Sequence, residues 1–124
     1  MTLKSGDRVF FDVTTSHMTL QFVSRANLER DGNCDPDGRP SAADTVVLTG
    51  ADVAVLIGEL GRITHSRAVV EEGRPGTSRL HVRTETTRRG KTQLTGDCNE
   101  ITMTQAERHM LSSAIKSRVW RLFQ

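Results

Sequence analysis

Val46-Val47-Leu48-Thr49-Gly50-Ala51-Asp52, running on into Val53, Leu56, Ile57 and Leu60, decides how this chain is read. Its pattern returns in Ile101-Thr102-Met103-Thr104-Gln105-Ala106-Glu107, which runs into Met110, Leu111, Ala114 and Ile115. Each copy reads as a short apolar strand, a threonine cap and a helix with an apolar stripe. Thr104, with Glu107 three residues on, has the form of a capping box. Each copy closes a unit of about sixty residues, a size that is marginal alone but adequate if two units share a core. Self-similarity of this kind sets the architecture. The chain is therefore expected to be two units, 1–63 and 64–124.

The remaining elements follow from period and punctuation. Arg8 to Val13 alternates, with Val9, Phe11 and Val13 on one face; Thr19 to Arg25 is a second strand carrying Leu20 and Phe22. Residues 31–44 hold Gly32, Pro36, Gly38 and Pro40 among acidic and amide side chains and read as a solvated loop. Gly61 is placed to end the first helix. In the second unit Arg67 to Val70 is strand-like, and Gly73 to Gly76 is a turn. Ser78 to Glu85 is the cleanest alternation, with Leu80 and Val82 on one face and Arg79, His81 and Arg83 on the other. Arg88 to Lys91 is a basic turn, Thr92 to Thr95 a further strand or an extended loop, and Ile101 to Met103 the last strand. The last helix is expected to reach about Leu122, burying Met110 and Ala114 with Leu111, Ile115, Val119 and Leu122. The fold class is α+β: two repeats of an antiparallel sheet followed by one helix. Each helix must cover one face of a sheet, leaving the other open.

Composition narrows the function classes. With four Phe, one Trp and no Tyr, the core is built mostly from aliphatic side chains. No run is long enough to span a membrane, and the first residues lack the apolar centre of a signal peptide. A cytosolic, cytoplasmic protein is the expectation. Cys34 and Cys98 fit a reduced compartment at least as well as one disulfide. Charge is unevenly spread: residues 1–61 carry five basic and nine acidic groups, residues 62–124 twelve and six. That asymmetry points to a polyanionic partner for the second half or to attraction between the halves.

The order and spacing of these motifs resemble the C-terminal domain of the transcriptional coactivator positive cofactor four. Leu80-His81-Val82-Arg83 matches that family's alternating strand, and Leu20-Gln21-Phe22-Val23 matches it without the arginine. Val46 to Thr49 and Ile101 to Thr104 match its junction from strand to capped helix. The resemblance spans roughly 7–62 and 66–122. It implies a curved antiparallel sheet and one helix per unit, dimerisation through helices, and single-stranded nucleic acid on the sheet side. One chain with two units would be a covalent pseudo-dimer of this kind, either monomeric or pairing further as a homodimer. The Whirly proteins and the mitochondrial guide-RNA-binding proteins share a related plan in longer chains. This chain departs from the family in two places: the first unit's loop is acidic (Asp31, Asp35, Asp37, Asp44), and no aromatic ends the second strand of either unit.

The candidate binding residues are Arg67, Arg74, Arg79, His81, Arg83, Arg88, Arg89 and Lys91, with Phe10 as an exposed aromatic. Phosphates require cations along a groove, and bases require planes to stack on. A solvated strand face also carries arginines, and Phe10 equally suits a contact between units. Trp120 and Phe123 read mainly as packing. No nucleophile motif, phosphate-binding glycine loop or zinc spacing occurs, and the acidic loop lacks the distal glutamate of a calcium site. The sequence therefore predicts a non-enzymatic, single-stranded DNA- or RNA-binding protein active in transcription, replication or recombination. It needs no cofactor, metal, membrane or small-molecule substrate. The rival reading is a protein-interaction or regulatory module that keeps the fold without the nucleic acid.

Overall fold

The computed structural model describes residues 1–31, 43–62, 66–73, 75–85 and 90–119. The architecture is α+β with two antiparallel sheets. The first sheet has the order β1-β2-β3, from Arg8–Val13 (β1), Met18–Val23 (β2) and Asp44–Leu48 (β3). The second has the order β4-β5-β6-β7, from Ser66–Glu71 (β4), Leu80–Thr84 (β5), Thr92–Thr95 (β6) and Glu100–Met103 (β7). Thr92–Thr95, ambiguous in sequence, is thus a full strand paired on both sides. Helix α1 spans Arg25–Asp31, α2 Gly50–Leu60 and α3 Gln105–Arg118.

Both strand-to-helix junctions are reciprocal capping boxes. The Thr49 hydroxyl accepts from the Asp52 N–H and the Asp52 carboxylate accepts from the Thr49 N–H; Thr104 and Glu107 do the same. Gly61 caps α2 at its C-terminus. Two backbone donors at each helix start are therefore satisfied by side chains only three residues apart, which is why these boundaries are local in origin.

Three expectations change. The second strand stops at Val23 rather than Arg25, because Ser24 opens α1: its hydroxyl accepts from the Asn27 N–H and its carbonyl from the Leu28 N–H. Asp44 is not a solvated loop residue but the first residue of β3, only 1% exposed. The stripe of α3 is rotated from the predicted one. Leu111, Ile115 and Val119 are buried together with Arg108 and Ser112, while Met110 is 63% exposed and Ala114 faces solvent. The buried face contains three polar side chains, Glu107, Arg108 and Ser112, so its apolar period is broken and hydrophobicity alone misplaces it. Leu122, Trp120 and Phe123 lie outside the described residues, as do Cys34, Asp35 and Asp37.

One apolar core runs through both halves. Leu20, Phe22 and Leu48 of the first sheet join Leu80, Leu94 and Ile101 of the second, with Val53, Leu56 and Leu60 of α2 and Leu111 and Ile115 of α3. Full burial of each such side chain stabilises the fold by roughly 1.5–3 kcal/mol. Helix α2 packs on β4 and β5 of the second sheet, on α3 and on β3. In turn α3 reaches the first sheet, where the Arg118 guanidinium lies 5.4 Å from the centroid of the Phe11 ring.

Buried carboxylates join the halves. The Asp44 carboxylate accepts from the Ser78 hydroxyl (2.7 Å), the backbone N–H groups of Asp97 (3.0 Å), Cys98 (3.1 Å) and Asn99 (2.6 Å), and the Asn99 side-chain amide (2.9 Å). Three consecutive N–H groups converging on one anion form a nest in the β6–β7 turn. Gly96 lets that turn approach: a Cβ there would stand 2.6 Å from Asp44 Cγ and 2.8 Å from Phe22 Cζ. Asp7 makes a second link, accepting from the N–H groups of Arg25 (2.8 Å) and Thr102 (3.2 Å). Glu107 extends its capping role by accepting from the Lys4 N–H at 2.8 Å.

Candidate nucleic-acid interface

Alternation along the second sheet sends Leu80, Val82, Leu94, Ile101 and Met103 into the core and leaves the opposite side chains on an outer face. Strand register arranges that face in rows. Val69, His81, Thr95 and Glu100 stand side by side across four strands, and Arg67, Arg83, Gln93 and Thr102 form the next row. The rows line a cleft of about 380 Å³ whose walls include Arg67, Val69, His81, Arg83, Gln93 and Glu100.

Arg67 and Arg83 are direct cross-strand partners. Like charges in that position repel and destabilise a sheet unless an anion lies between them. Arg83 is partly relieved by Glu85, with Nη2 3.0 Å from Oε1. Its Nε is shielded from solvent and has no hydrogen-bond partner among the described residues. Both side chains of the Arg83–Glu85 pair are well exposed, so the contact is worth at most about 1 kcal/mol and yields readily to a competing anion.

The structure brings together Arg67, His81 and Arg83 from the predicted set. Arg79 is placed elsewhere. The register of β4 on β5 slips between Val69 and Glu71, so that Glu71 pairs with Leu80 and β5 begins there. Arg79 stands just before the strand and reaches to the β6–β7 turn, where its Nε donates to the Gly96 carbonyl and lies 3.3 Å from the Asp97 carboxylate. It braces the turn that holds Asp44. Lys91 is exposed at the β5–β6 connection, its carbonyl accepting from the Glu85 N–H. Arg74, Arg88 and Arg89 lie outside the described residues.

Phe10 is on the other sheet. It is 39% exposed and lines a separate cleft with Val9, Phe11, Leu111, Ala114 and Arg118. The outer face of the first sheet carries Phe10 beside Gln21 and Thr45, and Asp12 beside Thr19 and Val47. Gln21 Nε2 donates to Thr45 Oγ1 at 3.1 Å, and Arg8 is the cation of that face among the described residues. Among the described residues the first outer face thus sets Arg8 against Asp12, and the second sets Arg67 and Arg83 against Glu100.

Four cleft residues escaped sequence reading: Val69, Gln93, Thr95 and Glu100. None carries a motif, and only the register of β4, β6 and β7 on β5 gathers them. Buried Arg108 also escaped. It takes the place in α3 that Val53 holds in α2, is 4% exposed, and donates through Nη1 to the Arg62 carbonyl at 2.8 Å. Its Nε has no partner among the described residues.

Among the described residues, no group of three or more His, Cys, Asp or Glu is close enough to hold a metal ion. His17 Nδ1 is 2.9 Å from Ser16 Oγ, and Cys98 is an exposed free thiol. No helix among them is long and apolar enough to cross a membrane. Comparison of the chain with protein-family models, with curated proteins and with solved structures found no match.

Proposed function

We propose that this protein binds single-stranded DNA or RNA, without catalysing a reaction, in the cleft of the second sheet. The observation that carries the reading is the Arg67–Arg83 cross-strand pair in the floor of an open groove. A phosphate between the two guanidinium groups turns a repulsive contact into two charge-assisted hydrogen bonds. His81 and the guanidinium planes supply stacking surfaces for bases. The reading extends to the whole chain as a pseudo-dimer resembling positive cofactor four, in which only the second half has kept its charge. Paired capping boxes and the lean of α2 on the second sheet support that extension. A role in transcription, replication or recombination follows from the resemblance.

The test is a titration of a labelled oligonucleotide by fluorescence anisotropy across a salt series. Two or three neutralised phosphates give a slope of log affinity against log salt of about −1.5 to −2 on a single strand. The double variant Arg67→Ala, Arg83→Ala should reduce the slope by about 1.4, since each contact contributes about 0.7. An affinity that is absent, or flat in salt, refutes the proposal.

The rival reading, a protein-interaction or regulatory module, is favoured by one observation. Arg79 and Arg83 already have carboxylate partners in Asp97 and Glu85. Co-purification separates the two: bound nucleic acid supports the first, and a stoichiometric protein partner with no nucleic acid supports the second.

A further inference from the structure

The cleft on the second sheet is polar in a directional sense. Arg67 and Arg83 occupy its β4–β5 side, whereas Glu100 lines it at the start of β7 with an exposed side chain. Glu100 takes part in none of the ion pairs formed among the described residues. Strand β7 is two strands from β5, a distance of about 9–10 Å. A phosphate is drawn to the arginines and repelled by Glu100. A strand lying in the cleft therefore runs its backbone along β4–β5 and turns its bases toward β6–β7.

Resting on the reading of this cleft as a single-strand site, we infer that Glu100 selects guanine. An ionised carboxylate has two acceptor oxygens and no donor. The pairing edge of guanine presents two adjacent donors, N1–H and the N2 amine, which match those oxygens in parallel. Adenine and cytosine offer one amine beside an acceptor nitrogen. Thymine and uracil offer one N–H between two carbonyl oxygens that a carboxylate repels. The neighbouring strand completes the fit, since the Gln93 amide and the Thr95 hydroxyl line the same cleft and can donate to guanine O6. The His81 ring, in the same row as Thr95 and Glu100, provides a plane under the base.

The experiment measures affinity of the intact protein for thymine-only oligonucleotides and for the same oligonucleotides carrying guanine or hypoxanthine at internal positions. A matched bidentate contact gives guanine an advantage over thymine of about 5- to 150-fold. Hypoxanthine, which keeps N1–H and lacks the amine, should fall between them. Glu100→Gln should bring guanine down to the thymine level and, by removing the charge that repels phosphate, strengthen thymine-only binding. Hypoxanthine alters only the ligand, so this arm is independent of any effect of the variant on folding. Equal affinity for all three oligonucleotides, or a guanine preference that survives Glu100→Gln, overturns the inference; salt-dependent binding to the thymine oligonucleotide leaves the cleft reading standing. Failure of every oligonucleotide to bind overturns both.

Discussion

Replacing Asp44 with alanine should break the joint between the two halves. The carboxylate accepts from five donors, all of them in the second half. The two bonds to Asn99, from its backbone N–H and its side-chain amide, are fully buried. The donors of Ser78, Asp97 and Cys98 are partly exposed and can turn to water. Each buried donor left without an acceptor costs about 1–3 kcal/mol, and hydrogen bonds to a charged group are at the strong end of the range. Two orphaned donors together with three weakened ones put the loss at about 3–5 kcal/mol, a large part of the roughly 5–15 kcal/mol that a domain possesses. Asp44→Asn keeps the shape but turns an NH2 group toward N–H donors, so it should cost about 2–4 kcal/mol despite being nearly isosteric. Urea unfolding followed by far-ultraviolet circular dichroism measures the change. With a slope of about 2 kcal/mol per molar urea, Asp44→Ala should lower the midpoint by roughly 1.5–2.5 M. In a double-mutant cycle, Asp44→Ala and Asn99→Ala should show a coupling of about 0.5–3 kcal/mol. A midpoint that falls by less than about 0.5 M would mean that water replaces the carboxylate at little cost, and the joint would then rest on apolar packing alone.

Gly96→Ala should destabilise the protein by about 1–3 kcal/mol through overpacking, because the new Cβ meets the Asp44 carboxylate and the Phe22 ring, neither of which has room to retreat; an unchanged urea midpoint would contradict this. Arg108→Met should change stability by less than about 1 kcal/mol, or raise it, since the buried guanidinium has an unpaired Nε and no carboxylate partner among the described residues. A drop in thermal midpoint equivalent to more than about 3 kcal/mol would show that its bond to the Arg62 carbonyl is essential. Phe10→Ala should leave oligonucleotide affinity unaltered, because Phe10 lines the cleft beside α3 rather than the basic one; a severalfold loss measured by anisotropy would place the nucleic acid on the first sheet.

Where a structural decision rests on neighbours in sequence, the sequence alone determined it. Thr49 with Asp52 and Thr104 with Glu107 are three residues apart, so the two helix starts are written in adjacent side chains. Strands β1 and β5 were legible for the same reason: alternation is a property of successive residues, and Val9, Leu80 and Val82 do point inward. The uneven charge of the two halves was also plain.

Tertiary structure decided whatever depends on partners far along the chain. Asp44 looked like one more acid in a polar loop, yet its donors are 34 to 55 residues away. Nothing local distinguishes a carboxylate bound for a buried nest from one bound for water. Arg79 belonged by alternation with His81 and Arg83, but a slipped register and the Asp97 carboxylate draw it to the turn. Val69, Gln93, Thr95 and Glu100 meet only because three strands align on β5. The face that α3 buries, with Arg108 and Ser112 among its apolar residues, follows from what the sheets and α2 present to it. Hydrogen-bond caps and side-chain alternation act within a few residues, whereas burial and charge pairing are settled by whichever surfaces the fold brings together.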